Sequence, residues 1–191
     1  MLAASLAGCV GQSAMPPARS DPTLQLPGGI ESIENWRAEG RVAIQRANEG
    51  WSAKLRWQKN ADAYQLRLIA PFGRGTYQIA GDRNSVVMIT PNGDHFESTD
   101  ARSLMDEQLG WSIPLDGAQY WLRGLAAPDS EPSSVIRDEA GLLTDMEQAG
   151  WRISVLRRLH VDGFDLPAKL YIQYQDLKVR IAISAWNLNA L

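Results

Sequence analysis

The stretch WSAKLRWQ, residues 51–58, decides the fold class of this chain. Apolar and polar residues take turns along it: Trp51, Ala53, Leu55 and Trp57 alternate with Ser52, Lys54, Arg56 and Gln58. A period of two places the apolar side chains on one face of a β-strand and the polar side chains on the other. Similar alternation or short apolar runs bounded by turn residues follow at AYQLRLIA (63–70), TYQIAG (76–81), SVVMIT (85–90) and HFEST (95–99). These segments predict an antiparallel meander with one buried face and one solvated face.

The middle of the chain changes to helical spacing in DARSLMDEQLGWSIPLDGAQYWLRGLAAP, residues 100–128. Asp100 is a candidate N-cap for a first helix that ends at Gly110, and a second helix is expected after Asp116 and Gly117. A short amphipathic helix is also expected at 30–36. Strands resume at GLLTDMEQAG (141–150), WRISVLRRL (151–159), AKLYIQYQ (168–175) and LKVRIAISAW (177–186). Strands, two helices and strands again predict an α+β fold, in which the helices occupy the hollow of a curling sheet.

Composition favours a folded binding protein over a nucleic-acid binder. Hydrophobic residues make up 45% of the 191 residues and charged residues 21%, which is typical of a globular domain. The formal net charge is −3 and no long basic run occurs, whereas a nucleic-acid binder would show a basic stripe. Seven tryptophans and the adaptable side chains of Met88, Met105 and Met146 suit a flexible apolar ligand, although an ordinary core would use the same residues.

The first residues, MLAASLAGCVGQ, indicate lipidation of Cys9. Small residues precede this cysteine as at a bacterial lipobox, although the apolar run is short and lacks a basic segment; a chance free cysteine is the alternative. We therefore expect a signal-peptide remnant at 1–8, the lipidated cysteine and a flexible tether rich in Pro, Gly, Ser and Ala at 9–29, and a folded domain at 30–191. The sequence contains no apolar run of transmembrane length.

The sequence contains no recognisable catalytic or metal-binding motif. His95 and His160 have no metal-ligand partners at useful spacing, and GRGTYQ (73–78) lacks the third glycine of a dinucleotide fingerprint. Carboxylate pairs such as Asp138 and Glu139 fall in a predicted loop. We expect no catalytic residue, metal or cofactor; a membrane-tethered lipid hydrolase would need a serine, a histidine and a carboxylate in contact.

Three stretches resemble the LolB family of outer-membrane lipoproteins. They are NWRAEGRVAIQ (35–45), LGWSIPLDGAQYWLRGLAAP (109–128) and LPAKLYIQYQDLKVRIAISAW (166–186), in the family's order. The resemblance implies a highly curved antiparallel sheet, a half-open barrel, with helices covering its concave side. It also implies a receptor that accepts triacylated lipoproteins from the periplasmic carrier LolA in a hydrophobic cavity and inserts them into the inner leaflet of the outer membrane.

The same resemblance implies a location and a set of partners. The protein would be a monomer, lipid-anchored to the periplasmic face of the outer membrane, with no cofactor and no nucleic-acid partner. Val10 stands where an aspartate would mark inner-membrane retention, which agrees with that location. The alternative is a structural or assembly lipoprotein of the outer membrane that uses the curved sheet as a protein-docking surface.

The turn in LIAPFGRGTYQIAG (68–81) carries an unusual aromatic residue. Loops lie on the surface, yet this one holds Phe72 between Pro71 and Gly73. The resemblance implies a membrane-insertion loop with a hydrophobic tip at Phe72, where the family more often has an aliphatic residue; otherwise Phe72 would fold back as an anchor. The cavity and lid candidates are Trp36, Trp57, Leu66, Met88, Leu104, Met105, Leu109, Trp111, Ile113 and Trp121. Of these, the stretch from Leu104 to Ile113 is expected to cover the hollow of the sheet.

Overall fold

In the computed structural model, which describes residues 29–188, the chain forms one antiparallel sheet and two helices. The first six strands are β1 (Trp36–Arg46), β2 (Glu49–Asn60), β3 (Ala63–Ile69), β4 (Thr76–Gly81), β5 (Val86–Ile89) and β6 (His95–Ser98). The helices α1 (Ala101–Leu109) and α2 (Leu115–Trp121) follow. The remaining strands are β7 (Pro132–Arg137), β8 (Leu143–Gln148), β9 (Trp151–Val161), β10 (Phe164–Tyr174) and β11 (Leu177–Asn187). The expected signal-peptide remnant at 1–8, Cys9 and the expected tether apart from its last residue lie outside the described residues.

The strand order places the two helices across the open side of the sheet. The order is β6-β5-β4-β3-β2-β1-β11-β10-β9-β8-β7, so β6 and β7 form the two edges. The segment that joins these edges is the one that contains α1 and α2. Because both helices carry residues of the single buried core, they lie on the concave face. The α+β class and the curved, half-open sheet predicted from the sequence are confirmed.

The register of the strands shows why the alternation predicted one buried face. Directly opposed residues share a face of an antiparallel sheet. One such row crosses six strands and is buried or half-buried throughout: Ala38, Trp57, Leu66, Ile79, Met88 and Phe96. The residues between these positions point to the opposite, solvated face.

Local signals fix the ends of α1 as the sequence predicted. The carboxylate of Asp100 accepts hydrogen bonds from the backbone N–H groups of Arg102 (3.0 Å) and Ser103 (3.2 Å). Gly110 ends the helix in the left-handed conformation, with φ of 75°. A glycine adopts this conformation without a steric penalty.

Three local expectations were wrong. The helix expected at 30–36 is a single 3₁₀ turn, Ile30–Ser32, because Trp36 starts β1 and pairs with Lys59. Strand β7 was not predicted, since nearly all its side chains are exposed and it shows no alternation. Helix α2 runs from Leu115 to Trp121, so Asp116 and Gly117 lie inside it and do not precede it.

A bulge in β11, at Ser184 opposite the step from Glu39 to Gly40 of β1, helps the sheet to curve. The pairing of β1 with β11 shifts register between Glu39 and Gly40. A Cβ atom at Gly40 would lie 2.1 Å from the carbonyl oxygen of Ala182, so only glycine allows this approach. Bulges bend a strand and increase its twist.

Candidate functional site

The predicted cavity and lid residues come together in the hollow between the sheet and the helices. Leu109 is half-buried, and the other nine are buried in the same core: Trp36, Trp57, Leu66, Met88, Leu104, Met105, Trp111, Ile113 and Trp121. They come from four strands, both helices and the segment that joins the helices. Side chains of the protein therefore fill the hollow, and a ligand can enter only if some of them move.

Two tryptophans that were not among the candidates complete the aromatic lining. The ring of Trp186 lies 5.6 Å from that of Trp36, and the ring of Trp151 lies 5.8 Å from that of Trp121. Both occupy apolar positions of predicted strands, which is the signal that could have identified them. A second feature of this lining is polar: the buried indole nitrogens of Trp36 and Trp57 have no hydrogen-bond partner within the described structure.

A buried hydrogen-bond network ties α2 to the sheet. The side-chain oxygen of Gln148, on β8, accepts from the indole N–H of Trp121 (2.7 Å) and from the backbone N–H of Ala127 (2.9 Å). Its amide nitrogen donates to the carbonyl oxygens of Ala127 (2.8 Å) and Ser130 (2.6 Å). Because Gln148 is fully buried, these bonds satisfy groups that water cannot reach.

A buried cation ties the other side of α2 to the start of the domain. One guanidinium nitrogen of Arg123 donates to the carbonyl oxygens of Ile33 (2.8 Å) and Ile30 (3.4 Å). The same guanidinium lies 5.1 Å from the ring centroid of Tyr120. Burial lowers the pKa of Arg123, chiefly through desolvation. Helix α2 is therefore anchored on two sides.

The end of α1 is held by contacts at the edge of the hollow. Arg46 of β1 donates to the carbonyl oxygen of Gly110 at 2.6 Å, in an exposed position, and the rings of Trp51 and Trp111 lie 5.7 Å apart. An opening of about 520 Å³ lies here, between α1 and the β1–β2 hairpin. It is lined by Ile44, Arg46, Glu49, Gly50, Trp51, Tyr77, Gln108, Leu109, Gly110 and Trp111. The bond from Arg46 to Gly110 is exposed, whereas the bonds that Gln148 makes to Trp121 and Ala127 beside α2 are buried.

The structure places Phe72 at the tip of a fixed loop. Its side chain is 96% exposed, so it does not fold back as an anchor. The backbone N–H of Ala70 donates to the carbonyl oxygen of Gly75 (3.0 Å) and closes the base of the loop. Gly75 packs so closely on Pro91 that an added Cβ would lie 2.4 Å from the Cβ of that proline. The tip is free while the base is held.

The backbone of the tip is strained as well as exposed. Phe72 has φ of 57°, in the left-handed region. This conformation costs a residue other than glycine about 1–2 kcal/mol. Other non-glycine residues of the described chain adopt the same conformation: Ala47, Ala61, Ala149, Asp162 and Gln175.

Catalytic and metal-binding geometry is not found in residues 29–188. Within this range no group of three or more metal-ligating side chains occurs. His160 lies 3.0 Å from the carboxylate of Asp165, and neither His95 nor His160 is hydrogen-bonded to a serine hydroxyl in the described part of the chain. No nucleophile–base pair therefore supports the hydrolase alternative here. None of the helices seen in this range is long and apolar enough to cross a bilayer.

The fold defines a structural class, that of open antiparallel half-barrels with helices on the concave face. A LolA superfamily protein of Nitrosomonas europaea superposes with a TM-score of 0.50 at 8% identity, covering 85% of this chain and 94% of that protein. A DUF1329 family protein of Desulfovibrio piger gives a TM-score of 0.51 at 8% identity, covering 87% and 91%. At such low identity these matches show a shared fold.

The sequence comparisons then identify the family. The family described as outer membrane lipoprotein LolB matches residues 34–186. The outer-membrane lipoprotein LolB of Pseudomonas syringae pv. syringae is 33% identical over 189 residues, which cover 97% of this chain and 92% of that protein. That of Nitrosococcus oceani is 33% identical over 159 residues, 83% of this chain and 79% of its own length. The chain belongs to the LolB family, as the resemblance predicted.

Proposed function

We propose that this protein is a receptor and insertase for lipoproteins at the outer membrane. It accepts triacylated lipoproteins from the periplasmic carrier LolA in the hollow under α1 and α2, and it inserts them into the inner leaflet. The observation that carries this proposal is Phe72, which is 96% exposed at the tip of a loop whose base is fixed. Membership of the LolB family supports it.

Uptake follows from the apolar lining of the hollow. An acyl chain gains about 0.8 kcal/mol for each methylene it buries, so transfer between two cavities needs no external energy source. The chain enters at the opening beside Gly110, where the hydrogen bond from Arg46 breaks and α1 moves away from the sheet. Helix α2 stays in place because Gln148 and Arg123 hold it. Tryptophan and methionine side chains adapt to the flexible chain.

Insertion depends on the tip of the loop. Full burial of a phenylalanine side chain contributes about 1.5–3 kcal/mol, which is enough to dock the loop in the acyl region and weak enough to reverse. The bilayer then offers the cargo a larger apolar environment than the hollow. The strained backbone at Phe72 is maintained because the loop base is fixed by Ala70, Gly75 and Pro91.

The proposed anchor lets the loop reach the membrane. Lipidation at Cys9 places the protein on the periplasmic face of the outer membrane, in agreement with relatives named as outer-membrane lipoproteins. The expected tether, residues 9–29, separates the lipid from the domain that begins at residue 30. The folded domain can therefore bring its loop to the bilayer or receive cargo without leaving the membrane.

The test replaces Phe72 by glutamate. The free energy of unfolding of the Phe72→Glu protein should lie within about 0.5 kcal/mol of the wild-type value, because the side chain is exposed. It should still accept lipoprotein from loaded LolA, since the hollow is elsewhere. Delivery from the variant into liposomes should fail, because a carboxylate in the acyl region is costly. Purified protein is mixed with loaded LolA and then with liposomes, and cargo is followed by sedimentation.

A matched control and a probe complete this experiment. Phe72→Leu keeps an apolar tip and should still deliver cargo. Normal delivery by Phe72→Glu would overturn the proposal. A docking lipoprotein would not take up a fluorescent fatty acyl probe, whereas the receptor should bind it in the hollow and quench tryptophan fluorescence.

A further inference from the structure

The outer face of the sheet carries a row of cations beside the Phe72 loop. In register, Lys54 of β2 lies opposite Arg41 of β1, and Lys169 of β10 lies opposite Ala182 of β11, which itself lies opposite Arg41. Ile69, the last residue of β3 before the loop, lies opposite Lys54. Neighbouring strands are about 4.8 Å apart, so the row from Lys54 to Lys169 spans about 14 Å.

Small residues between these cations leave a groove. Arg180 lies in the adjacent row, opposite Ala43, which is also opposite Ser52. The groove has a volume of about 670 Å³, and the Phe72 loop forms one of its walls. Its lining residues are Arg41, Val42, Ala43, Ser52, Ala53, Lys54, Ile69, Ala70, Pro71, Phe72, Gly73, Lys169, Arg180, Ile181 and Ala182. We call the four cations of this lining, Arg41, Lys54, Lys169 and Arg180, the basic face.

The charges of the basic face are not neutralised by the protein. All four side chains are exposed, and within residues 29–188 none of them forms an ion pair. On the same outer face, Glu39 pairs instead with Arg56 at 3.8 Å. A protein with a formal net charge of −3 thus concentrates free positive charge next to its exposed apolar tip.

The basic face and the exposed Phe72 together point to one kind of partner. An occupant of the groove meets four cations and, at the same wall, an apolar tip. A bilayer surface with acidic lipids presents phosphates above hydrocarbon, which complements both features, whereas free phosphate would make no use of Phe72. Cations near such a surface attract it by about 1 kcal/mol for each Lys or Arg.

We propose that the basic face binds anionic phospholipid headgroups and thereby orients the protein so that Phe72 enters the acyl region. This inference rests on the proposed insertion function of Phe72 and names the lipid chemistry that the loop meets. Binding of headgroups places the loop at the boundary of the hydrocarbon before any cargo leaves the hollow.

The test measures vesicle binding by the full chain without its lipid, using Cys9→Ala as the parent. Vesicles contain phosphatidylcholine alone or with phosphatidylglycerol. Arg41→Gln with Lys169→Gln should weaken binding to the acidic vesicles by about 25-fold, about fivefold for each charge. Binding of the parent should also fall as salt increases.

The control removes the same charge elsewhere. Arg102→Gln with Arg137→Gln, at exposed positions outside the groove that form no ion pair within residues 29–188, should leave vesicle binding within about twofold of the parent, because the attraction acts only on charges close to the lipid surface. Equal losses in the two double variants, or undiminished binding by Arg41→Gln with Lys169→Gln, would overturn the headgroup site. Loss of uptake from LolA with normal vesicle binding would assign the basic face to an acidic protein surface instead.

The experiments distinguish a failure of the headgroup site from a failure of the insertion function of Phe72. If the basic face proves dispensable while Phe72→Glu still blocks delivery, the headgroup site is wrong and the insertion function stands. If Phe72→Glu delivers cargo normally, the insertion function is wrong whatever the vesicles show.

Discussion

Replacing Gln148 by methionine tests whether α2 is fixed by the buried amide. The substitution keeps a side chain of similar length and removes four hydrogen bonds. It leaves the N–H groups of Trp121 and Ala127 without an acceptor, and the carbonyl oxygens of Ala127 and Ser130 without a donor. Ser130 is partly exposed, so water can replace the lost bond there, but the other three groups are at buried residues.

The expected loss of stability follows from these three groups. A buried polar group without a partner costs about 1–3 kcal/mol, and methionine recovers part of this by apolar contact. We expect the free energy of unfolding to fall by about 3–5 kcal/mol, out of a total that is typically about 5–15 kcal/mol. With a urea slope of about 2 kcal/mol/M, the midpoint should fall by about 1.5–2.5 M.

Urea denaturation followed by tryptophan fluorescence measures this change, because Trp121 itself loses its hydrogen bond. The control is Gln45→Met, at an exposed position of β1 whose side chain makes no hydrogen bond in the described structure. It should change stability by less than about 0.5 kcal/mol. A loss below about 1 kcal/mol for Gln148→Met, with an unchanged slope, would refute the buried-network account of the α2 anchor.

Three further predictions concern the opening, the lid helix and the tether. Arg46→Gln should speed uptake of a fluorescent acyl probe by about two- to fivefold, because an exposed charged contact to Gly110 contributes only about 1 kcal/mol or less; unchanged uptake in stopped-flow fluorescence would contradict this role. Asp100→Ala should lower stability by about 1 kcal/mol at pH 7. Hydrogen bonding, first from the Ser103 hydroxyl, lowers the pKa of Asp100, so this carboxylate stabilises the fold above its unfolded pKa of about 3.9 and stops doing so as the pH falls through its folded value. The gap between variant and wild type in urea melts should therefore shrink at low pH, and a constant gap would be inconsistent with capping by the charged form. Cys9→Ala, expressed behind a soluble signal, should still accept lipoprotein from LolA in a pull-down, and complete loss of uptake by the folded variant would show that the anchor and the hollow are not independent.

The sequence predicted those features that depend on local pattern. Alternation at 51–58 located β2 and its buried face, because a strand with one buried face carries an apolar residue at every second position. Asp100 and Gly110 marked the ends of α1, because capping depends on groups within a few residues of each other. Strand β7 escaped prediction because its side chains are exposed and its pairing with β8 is made by backbone groups, which every sequence has.

The tertiary structure decided which residues that are distant in sequence become neighbours in space. Only the folded chain shows that Gln148 and Arg123 hold α2. From the sequence alone such polar residues are expected at the surface, and their hydrogen-bond partners lie on distant segments of the chain. The basic face likewise exists because β1 pairs with β11, which brings Arg41 of the first strand into one row with Lys169 near the end of the chain. Alternation determines the face on which a side chain lies, since that depends on its neighbours in sequence. Register determines its neighbours across the sheet, and register is set by bulges, turns and the packing of the whole core.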